Sequence, residues 1–179
     1  MLETERLVLR KPRLDDVDSV LEFVSDPEVM QWLGGPAGDR AAATATIERW
    51  LTGWERNDIG HFAVEHDGHV IGRAGFLVWD EAMWQVSSYA GAAKPVTELG
   101  WAIARAHWGH GYATEAARAL RTWAYDDAGI EHLISLISPR NDRSMRVAEK
   151  LTATPGKTVK IDGDPIVVWH HPHGQLPAR

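Results

Sequence analysis

Two glycines, Gly109 and Gly111, lie one residue apart within Trp108–Ala116, after a short apolar run and before a strongly patterned helix. The first amides of a helix lack internal partners and carry the positive end of its dipole, and glycine lets the backbone approach a ligand closely. The segment therefore predicts a turn that binds an anion such as a phosphate. A plain turn without a ligand is the alternative that these residues alone leave open.

Two other phosphate-binding motifs do not fit the chain. A Rossmann dinucleotide site needs a third glycine at position 114, where the chain has Thr114. The triplet Gly156-Lys157-Thr158 lacks the glycine that a P-loop carries five positions earlier, because position 151 is Leu151. The triplet is therefore interpreted as a turn.

The elements around the glycine turn are predicted from apolar spacing. Residues 98–104 form a short apolar run typical of a buried strand, and residues 111–128 have apolar positions at helical spacing that end at Gly129. Residues 132–138 alternate like a second buried strand, and residues 141–151 follow as a helix. The glycine turn thus lies at a strand-to-helix junction.

The rest of the chain is divided by the same patterns. Residues 80–97 contain glycine, proline and small polar residues and are predicted to be a long hairpin connection or flexible lid. Asp162-Gly163-Asp164 is predicted to be the turn between the last two strands. The other predicted elements are a strand at 5–11, helices across 14–32 and 40–57, and strands at 60–66, 69–79, 154–161 and 165–171.

Four segments are informative in combination: Glu5–Arg10, Glu98–Trp101, Trp108–Ala116, and Asn141–Ser144 running on to Glu149–Leu151. Together they resemble the GNAT superfamily of acyl-coenzyme A transferases, and within it the RimJ/RimL-like branch of ribosomal-protein N-terminal acetyltransferases. The resemblance covers most of the chain and implies a single GNAT domain over residues 1–179. It implies an α/β (α+β) fold with a mixed, mostly antiparallel sheet of about seven strands, flanked by helices and splayed between its two central strands.

The same resemblance implies acetyl-CoA as donor, with no metal. In the family the glycine turn binds the coenzyme A pyrophosphate and the preceding strand binds pantetheine through its backbone. Carried onto this chain, the pyrophosphate residues are Trp108, Gly109, Gly111, Tyr112 and Ala113. The pantetheine residues are Trp101, Ala102 and Ile103, with Asn141 able both to cap its helix and to touch pantetheine.

The chain departs from the family pattern at two places. Ala106 stands where the family often has Gln or Arg, which removes a polar side chain but no backbone donor. Thr152-Ala153 replaces the usual Gly-Phe after the last helix and bears on the packing of the C-terminal strands.

Amide formation from a thioester needs a neutral amine and a proton for the departing thiolate. The chain has no cysteine, so a cysteine-linked acyl intermediate is excluded and direct transfer in a ternary complex is expected. Glu98 is the candidate base, directly or through water, and Ser144 is the candidate that protonates the thiolate, as the resemblance implies. The alternatives are a solvated charge at Glu98 and helix capping at Ser144. His61 and His69 flank another predicted strand pair, where a histidine is usually structural, but one that faces the cleft would be an alternative group for deprotonation.

Several tryptophans and histidines are further candidates for the site. Trp32, Trp79 and Trp84 are predicted near loops or strand ends, where they either line an acceptor pocket or belong to the core. His170 and His171 are adjacent in a strand and point to opposite faces, so a metal site is not expected.

Composition narrows the function class. The chain has 179 residues, is 44% hydrophobic and carries a formal net charge of -6, which argues against a broad nucleic-acid surface. No signal core or membrane-length apolar run is apparent, so a cytoplasmic location without a membrane partner is expected. The expected partners are acetyl-CoA and an amine acceptor, either a small molecule or a peptide N-terminus; the oligomeric state is open, a homodimer included. A non-catalytic acyl-CoA sensor and, more weakly, a metal-dependent hydrolase are the alternative functions.

Overall fold

The computed structural model describes residues 1–174. Its helices are α1 (Val17–Val24), α2 (Pro27–Met30), α3 (Arg40–Asn57), α4 (Tyr112–Asp126) and α5 (Asp142–Lys150). Its strands are β1 (Leu2–Glu3), β2 (Val8–Arg10), β3 (His61–His66), β4 (His69–Asp80), β5 (Gln85–Val86), β6 (Pro95–Ile103), β7 (Leu133–Ile137), β8 (Thr154–Ile161) and β9 (Asp164–His171). None of the helices within these residues has the length and apolar composition that crossing a membrane requires.

The strands are ordered β1-β2-β3-β4-β6-β7-β9-β8, with β5 paired to β4. Backbone contacts divide the chain into two compact units. The first unit contains Met1–Gly75 and Trp101–Ala116, and the second contains Phe76–Gly100 and the chain from Ala117 onward.

The predicted GNAT fold class is confirmed, with a mixed and mostly antiparallel sheet flanked by helices. The strand pairs with recorded registers are antiparallel except β6 with β7. That parallel pair has only two register partners, Thr97 with Leu133 and Glu98 with Ile134. By contrast, β7 is paired with β9 along all of Leu133–Ile137. The sheet therefore opens between β6 and β7 after Glu98.

The predicted count of about seven strands is low for residues 1–174, because the sheet there has nine. The strand predicted over 5–11 is interrupted by a turn in which the Thr4 amide donates to the Leu7 carbonyl at 2.9 Å. Only Val8–Arg10 of that range is strand, and β1 lies before the turn. The other additional strand, β5, lies in the segment that was predicted to be a connection.

The helix predicted across 14–32 is divided. A 3-10 turn at Leu14–Asp16 precedes α1, and a break at Asp26 precedes α2. Proline disfavours helical backbone in the residue before it, and Pro27 begins α2 while the Asp26 side chain accepts from the Glu28 amide at 2.9 Å. The prediction missed this boundary because the apolar spacing continues across it.

Residues 81–94 connect β4 to its neighbour β6, so the predicted connection is present, but it is shorter than the predicted range 80–97 and contains a short strand. Within it β5 pairs with β4, and β6 already begins at Pro95. The Asp80 carboxylate accepts hydrogen bonds from the amides of Ala82, Ala93 and Lys94 at 3.0, 3.0 and 3.1 Å. These bonds, the Ala93 amide first among them, lower the pKa of Asp80. The Asp80 side chain thus connects the end of β4 to the residues just before β6.

Each unit has its own apolar cluster. In the first unit Val20, Phe23, Ile47 and Trp50 from α1 and α3 form the centre of a buried cluster. In the second unit Val96, Ile134 and Val168 form a smaller one, with partly buried hydrophobic residues packed against it; these are Trp79, Trp84, Leu136 and Val159.

Left-handed backbone occurs after three helices, at Asp58 after α3, Gly129 after α4 and Thr152 after α5. The predicted stop at Gly129 is confirmed, with φ of 66°. At the end of α5, Thr152 also has a positive φ, 59°, and the Ala153 amide donates to the Ala148 carbonyl at 3.0 Å. The replacement of the family's Gly-Phe is thus accommodated, and β8 and β9 form an antiparallel pair joined by the predicted turn at Asp162–Gly163.

Candidate active site

The candidate anion site lies in the first unit, at the junction of β6 and α4. After β6 ends at Ile103, a 3-10 turn leads into residues 108–111, here called the glycine loop, and α4 begins at Tyr112. Gly109 and Gly111 both have φ of 84°, a conformation that strongly favours glycine. These two residues and His110 between them are exposed.

Six consecutive amides, those of Gly109–Thr114, are unpaired within the described residues. Within residues 1–174, no hydrogen bond to protein is made by the amides of Gly109–Thr114, and the first bond back into the loop is from the Glu115 amide to the Gly111 carbonyl at 3.0 Å. A Cβ built on Gly109 meets no atom within 4 Å, so the space beside it is open. Unpaired amides at a helix N-terminus beside open space fit an oxyanion such as a diphosphate.

The base of the glycine loop is held to the strands. The Trp108 indole donates to the Ile103 carbonyl at 2.7 Å, and the Ala104 amide donates to the Ile71 carbonyl at 2.8 Å. Gly72 of β4 lies so close to β6 that a Cβ there would collide with the Ala102 carbonyl. These contacts fix the backbone of β6, where the predicted pantetheine residues lie.

Glu98 lies in the second unit, at the last paired position of β6 before the sheet opens. Its carboxylate Oε2 accepts a hydrogen bond from the Trp79 indole at 2.6 Å. Because side chains alternate along a strand, Glu98 shares a face with Val96 of the apolar cluster. The carboxylate is therefore oriented by a neutral donor, the Trp79 indole.

The point where the sheet opens is held by a side chain. The Ser135 hydroxyl donates to the Leu99 carbonyl at 2.6 Å, at the first position where β6 and β7 are no longer paired. The same oxygen lies 2.9 Å from His171 Nε2. Because the Ser135 hydroxyl already donates its own hydrogen to Leu99, it accepts a hydrogen bond from the Nε2–H group of His171. Burial, and then the charge of Arg121, lowers the pKa of His171 to about 3. His171 is therefore neutral at physiological pH.

Asn141 and Ser144 lie at the start of α5, also in the second unit. Asn141 is the N-cap, because its side-chain Oδ1 accepts from the Ser144 amide at 3.1 Å. The capping role considered for Ser144 is thus filled by Asn141. Within residues 1–174 the half-buried Ser144 hydroxyl makes no hydrogen bond, and it is available for chemistry.

The predicted site residues fall into two sets. The first unit holds the predicted donor-binding residues Trp101, Ala102, Ile103, Trp108, Gly109, Gly111, Tyr112 and Ala113. The second unit holds Glu98, Asn141 and Ser144. Their assigned roles stay predictions.

The alternative base and the tryptophans have distinct environments. His61 is buried against Trp50, and burial, followed by the charge of Arg73, lowers its pKa well below the usual value. This setting is that of a neutral structural histidine. Of the predicted acceptor tryptophans, Trp79 and Trp84 pack on the apolar cluster around Val96.

Sequence reasoning missed several supporting residues. Ser135 and His171 meet only because of the register between β7 and β9, which apolar alternation does not determine. Arg6 and Glu115 belong to two different sequence motifs, and neither motif predicts that the two side chains form an ion pair. The signal available for that contact was a charged residue of opposite sign in each motif.

Comparison with known proteins gives a consistent result. A family model for the acetyltransferase (GNAT) domain matches residues 6–154. The YkkB protein of Bacillus subtilis (strain 168) is 30% identical over 177 residues, which cover 94% of this chain and 93% of that protein. The structure of an acetyltransferase from Agrobacterium tumefaciens str. C58 has a TM-score of 0.78 at 28% identity, covering 96% of this chain and 94% of that one.

A more distant solved structure is similar in fold. AAC(6')-Ib, determined in complex with paromomycin and acetyl-CoA, has a TM-score of 0.76 at 20% identity, over 94% of each chain. Together with the match of the family model to most of the chain, these comparisons confirm the superfamily predicted from the four sequence segments. This chain belongs to the GNAT acetyltransferase family.

Proposed function

We propose that the protein is an N-acetyltransferase that transfers the acetyl group of acetyl-CoA directly to a primary amine, either a protein N-terminus or a small-molecule amine. The observation that carries the proposal is the run of unpaired amides from Gly109 to Thr114 at the start of α4. Such amides stabilise a diphosphate without any metal ion or basic side chain. The RimJ/RimL-like branch is the part of the family to which we assign the chain.

Donor binding follows from the glycine loop and β6. The pyrophosphate is bound by the amides of Gly109, Gly111 and the first residues of α4, and Trp108 anchors the loop through its indole. Pantetheine runs along the backbone of Trp101–Ile103 in this proposal. The buried side chains of Ala102 and Ile103 leave the backbone as the recognition element, which suits a flexible, uncharged arm.

Glu98 is proposed as the base that deprotonates the acceptor amine, directly or through a water molecule. Only a neutral amine attacks a thioester, and its nitrogen becomes positively charged as the new bond forms, so the carboxylate accepts a proton from that nitrogen. The hydrogen bond from Trp79 orients the carboxylate and stabilises its charged form.

Ser144 is proposed to donate a proton to the departing thiolate. Its amide is fixed by the Asn141 cap, so the position of its Cα is set by the helix, while its hydroxyl is free of protein acceptors within residues 1–174. The amine then loses its proton to Glu98, the sulfur gains one from Ser144, and solvent restores both groups. The products are the acetylated amine and coenzyme A.

The proposal is tested by acetyl-CoA turnover against peptides with varied N-termini and a set of small amines that includes an aminoglycoside, read by thiol release. We expect turnover with at least one amine class. Glu98→Gln and Ser144→Ala should each lower kcat by about tenfold or more with the affinity for coenzyme A retained. Glu149→Gln, at an exposed position of α5, is the matched control. Tight coenzyme A binding without turnover of any amine would contradict the proposal and favour a non-catalytic sensor.

A further inference from the structure

We propose that Arg6, together with Glu115, positions the glycine loop for the diphosphate of acetyl-CoA. The inference rests on the function proposed above and adds two positioning residues to it. Both residues lie in the first unit, in two sequence motifs more than a hundred residues apart, since the bond between them spans 109 positions. Four observations support this role.

The first observation is the bond from Arg6 to the glycine loop itself. Arg6 Nη1 donates to the carbonyl of His110 at 3.0 Å, the carbonyl that lies between Gly109 and Gly111. Two glycines with positive φ give this peptide wide conformational freedom, and a carbonyl turned toward a diphosphate would repel it. Because Arg6 binds this oxygen, the orientation of the peptide group between His110 and Gly111 is fixed.

The second observation is that Arg6 is itself fixed by Glu115. The Glu115 carboxylate accepts from Arg6 Nε at 2.8 Å and from the Arg6 amide at 2.9 Å, and it lies 2.6 Å from Arg6 Nη2. It also accepts from the Thr4 hydroxyl at 2.7 Å. A guanidinium held through two nitrogens at one carboxylate oxygen has little freedom to move, so the bond to His110 is made by a preorganised donor.

The third observation concerns charge. Glu115 is only 4% exposed and lies in the first turn of α4, where an unpaired carboxylate would repel a phosphate. Burial opposes its ionisation, but the hydrogen bonds from Thr4 and Arg6 outweigh burial and lower the pKa of Glu115. Glu115 is therefore charged, and Arg6 neutralises it. Without Arg6 a negative charge would remain beside the anion site.

The fourth observation is the position of the guanidinium relative to the loop. Its carbon lies 4.7 Å from the centre of the Tyr112 ring, and Nη2 lies 3.6 Å from the place where a Cβ on Gly111 would be. The Arg6 side chain is 36% exposed. Its positive charge therefore lies at the edge of the loop and is not buried beneath it.

The test compares two acetyl donors. S-acetylpantetheine has the thioester and the pantetheine arm of acetyl-CoA but no diphosphate. In Arg6→Gln we expect kcat/KM for acetyl-CoA to fall about tenfold, the value of one charge-assisted hydrogen bond, mainly through KM. For S-acetylpantetheine we expect kcat/KM to fall less than about twofold, because no phosphate is bound there. Glu115→Gln should shift the same ratio in the same direction but by less, because the loss of Arg6 positioning is partly offset by removal of a negative charge near the phosphates.

Arg10→Gln is the matched control, because Arg10 is another arginine of the N-terminal segment and pairs with Asp16 and Glu65, away from the loop. It should lower the Tm without changing the ratio between the two donors. Equal losses with both donors in Arg6→Gln, or no loss with either, would overturn the inference. The ratio of kcat/KM for the two donors is measured on folded protein. Arg6→Lys, which keeps the charge but loses the planar guanidinium, should give an intermediate ratio.

Failure of this inference can be separated from failure of the proposed function. Calorimetric titration with coenzyme A and with pantetheine measures the loop in the absence of turnover. A wild-type protein that binds coenzyme A but acetylates no amine contradicts the proposed function, while the coenzyme A affinity of Arg6→Gln still decides the role of Arg6. In that case an unchanged affinity in Arg6→Gln would overturn the inference.

Discussion

Trp79 donates its indole N–H to the Glu98 carboxylate at 2.6 Å, next to the point where β6 and β7 separate. A short hydrogen bond to a charged acceptor both orients the carboxylate and stabilises its ionised form. The two residues come from β4 and β6, and the bond fixes the side chain that we propose as the base. The strength of Glu98 as a base therefore depends on a residue that does not itself exchange protons.

Replacement of Trp79 by Phe removes the donor and keeps an aromatic ring in the apolar cluster. The Glu98 carboxylate is then less stabilised and less well oriented. We expect kcat to fall about fivefold to tenfold and the acidic limb of the kcat/KM profile to move to higher pH. The measurement is kcat/KM between pH 5 and pH 9 with the best amine found in the turnover screen.

Trp84→Phe is the control for this prediction. Trp84 packs on the same cluster, but its ring contacts the Lys157 ammonium at 5.2 Å and it donates nothing to Glu98. The acidic limb of the kcat/KM profile of Trp84→Phe should coincide with that of the wild type. An unshifted limb in Trp79→Phe, or an equal shift in Trp84→Phe, would show that the indole N–H does not tune the base.

The contrast between predicted and observed features has a physical origin. Apolar periodicity predicted α3, β7 and β9 well, because each of these elements buries apolar side chains. It failed at Asp26, where a proline and a capping side chain override the pattern, and it missed β5 and the start of β6 within 80–97, where the Asp80 carboxylate organises the backbone. Local bonds of this kind leave no periodic signal.

The candidate site shows the same division. The glycine loop was located from sequence because glycine spacing and the start of a helix are local features. The pairs Arg6 with Glu115 and Ser135 with His171 were not, because they join residues far apart in the chain. Such contacts depend on strand register and on the direction of a turn, which a single sequence does not specify.

Thr152 offers a test of backbone strain at the end of α5. It has φ of 59°, a conformation that costs a residue with a Cβ about 1–2 kcal/mol, part of which is offset by the greater chain entropy that glycine has when unfolded. We expect Thr152→Gly to raise the free energy of unfolding by about 0.5–1 kcal/mol. Urea denaturation at neutral pH measures this change.

Thr154→Gly serves as the comparison for Thr152. Thr154 begins β8 in extended backbone, where glycine should lower stability. Changes of opposite sign in the free energy of unfolding, at two threonines separated by one residue, would identify the left-handed conformation as the cause. A loss of stability in Thr152→Gly would contradict this account, and would assign more weight to the hydrogen bond from the Thr152 hydroxyl to the Leu151 carbonyl at 2.6 Å.

His171 gives a prediction for the pH dependence of stability. Its pKa in the folded protein is about 3, against an unperturbed value of about 6.5, so between these values the unfolded chain binds a proton that the folded chain does not. Stability therefore decreases as pH falls from about 6.5 toward about 3, with a contribution from this group of about 1.4 kcal/mol per pH unit. His61, whose pKa is also lowered, adds a decrease of the same sign.

His171→Gln removes the titrating group and keeps a side-chain N–H that can donate to Ser135. The variant should be less stable than the wild type at pH 7, because a buried side chain is repacked. Between pH 6 and pH 4 its stability should decrease less steeply, by about 1.4 kcal/mol per pH unit. Denaturant unfolding at pH 7, 6, 5 and 4 measures both slopes.

His170→Gln, in the same strand but on its other face, is the control, since its burial is smaller and its pKa is less depressed. Parallel profiles for wild type and His171→Gln would mean that His171 is protonated in the folded protein, and its hydrogen bond to Ser135 would then need another explanation.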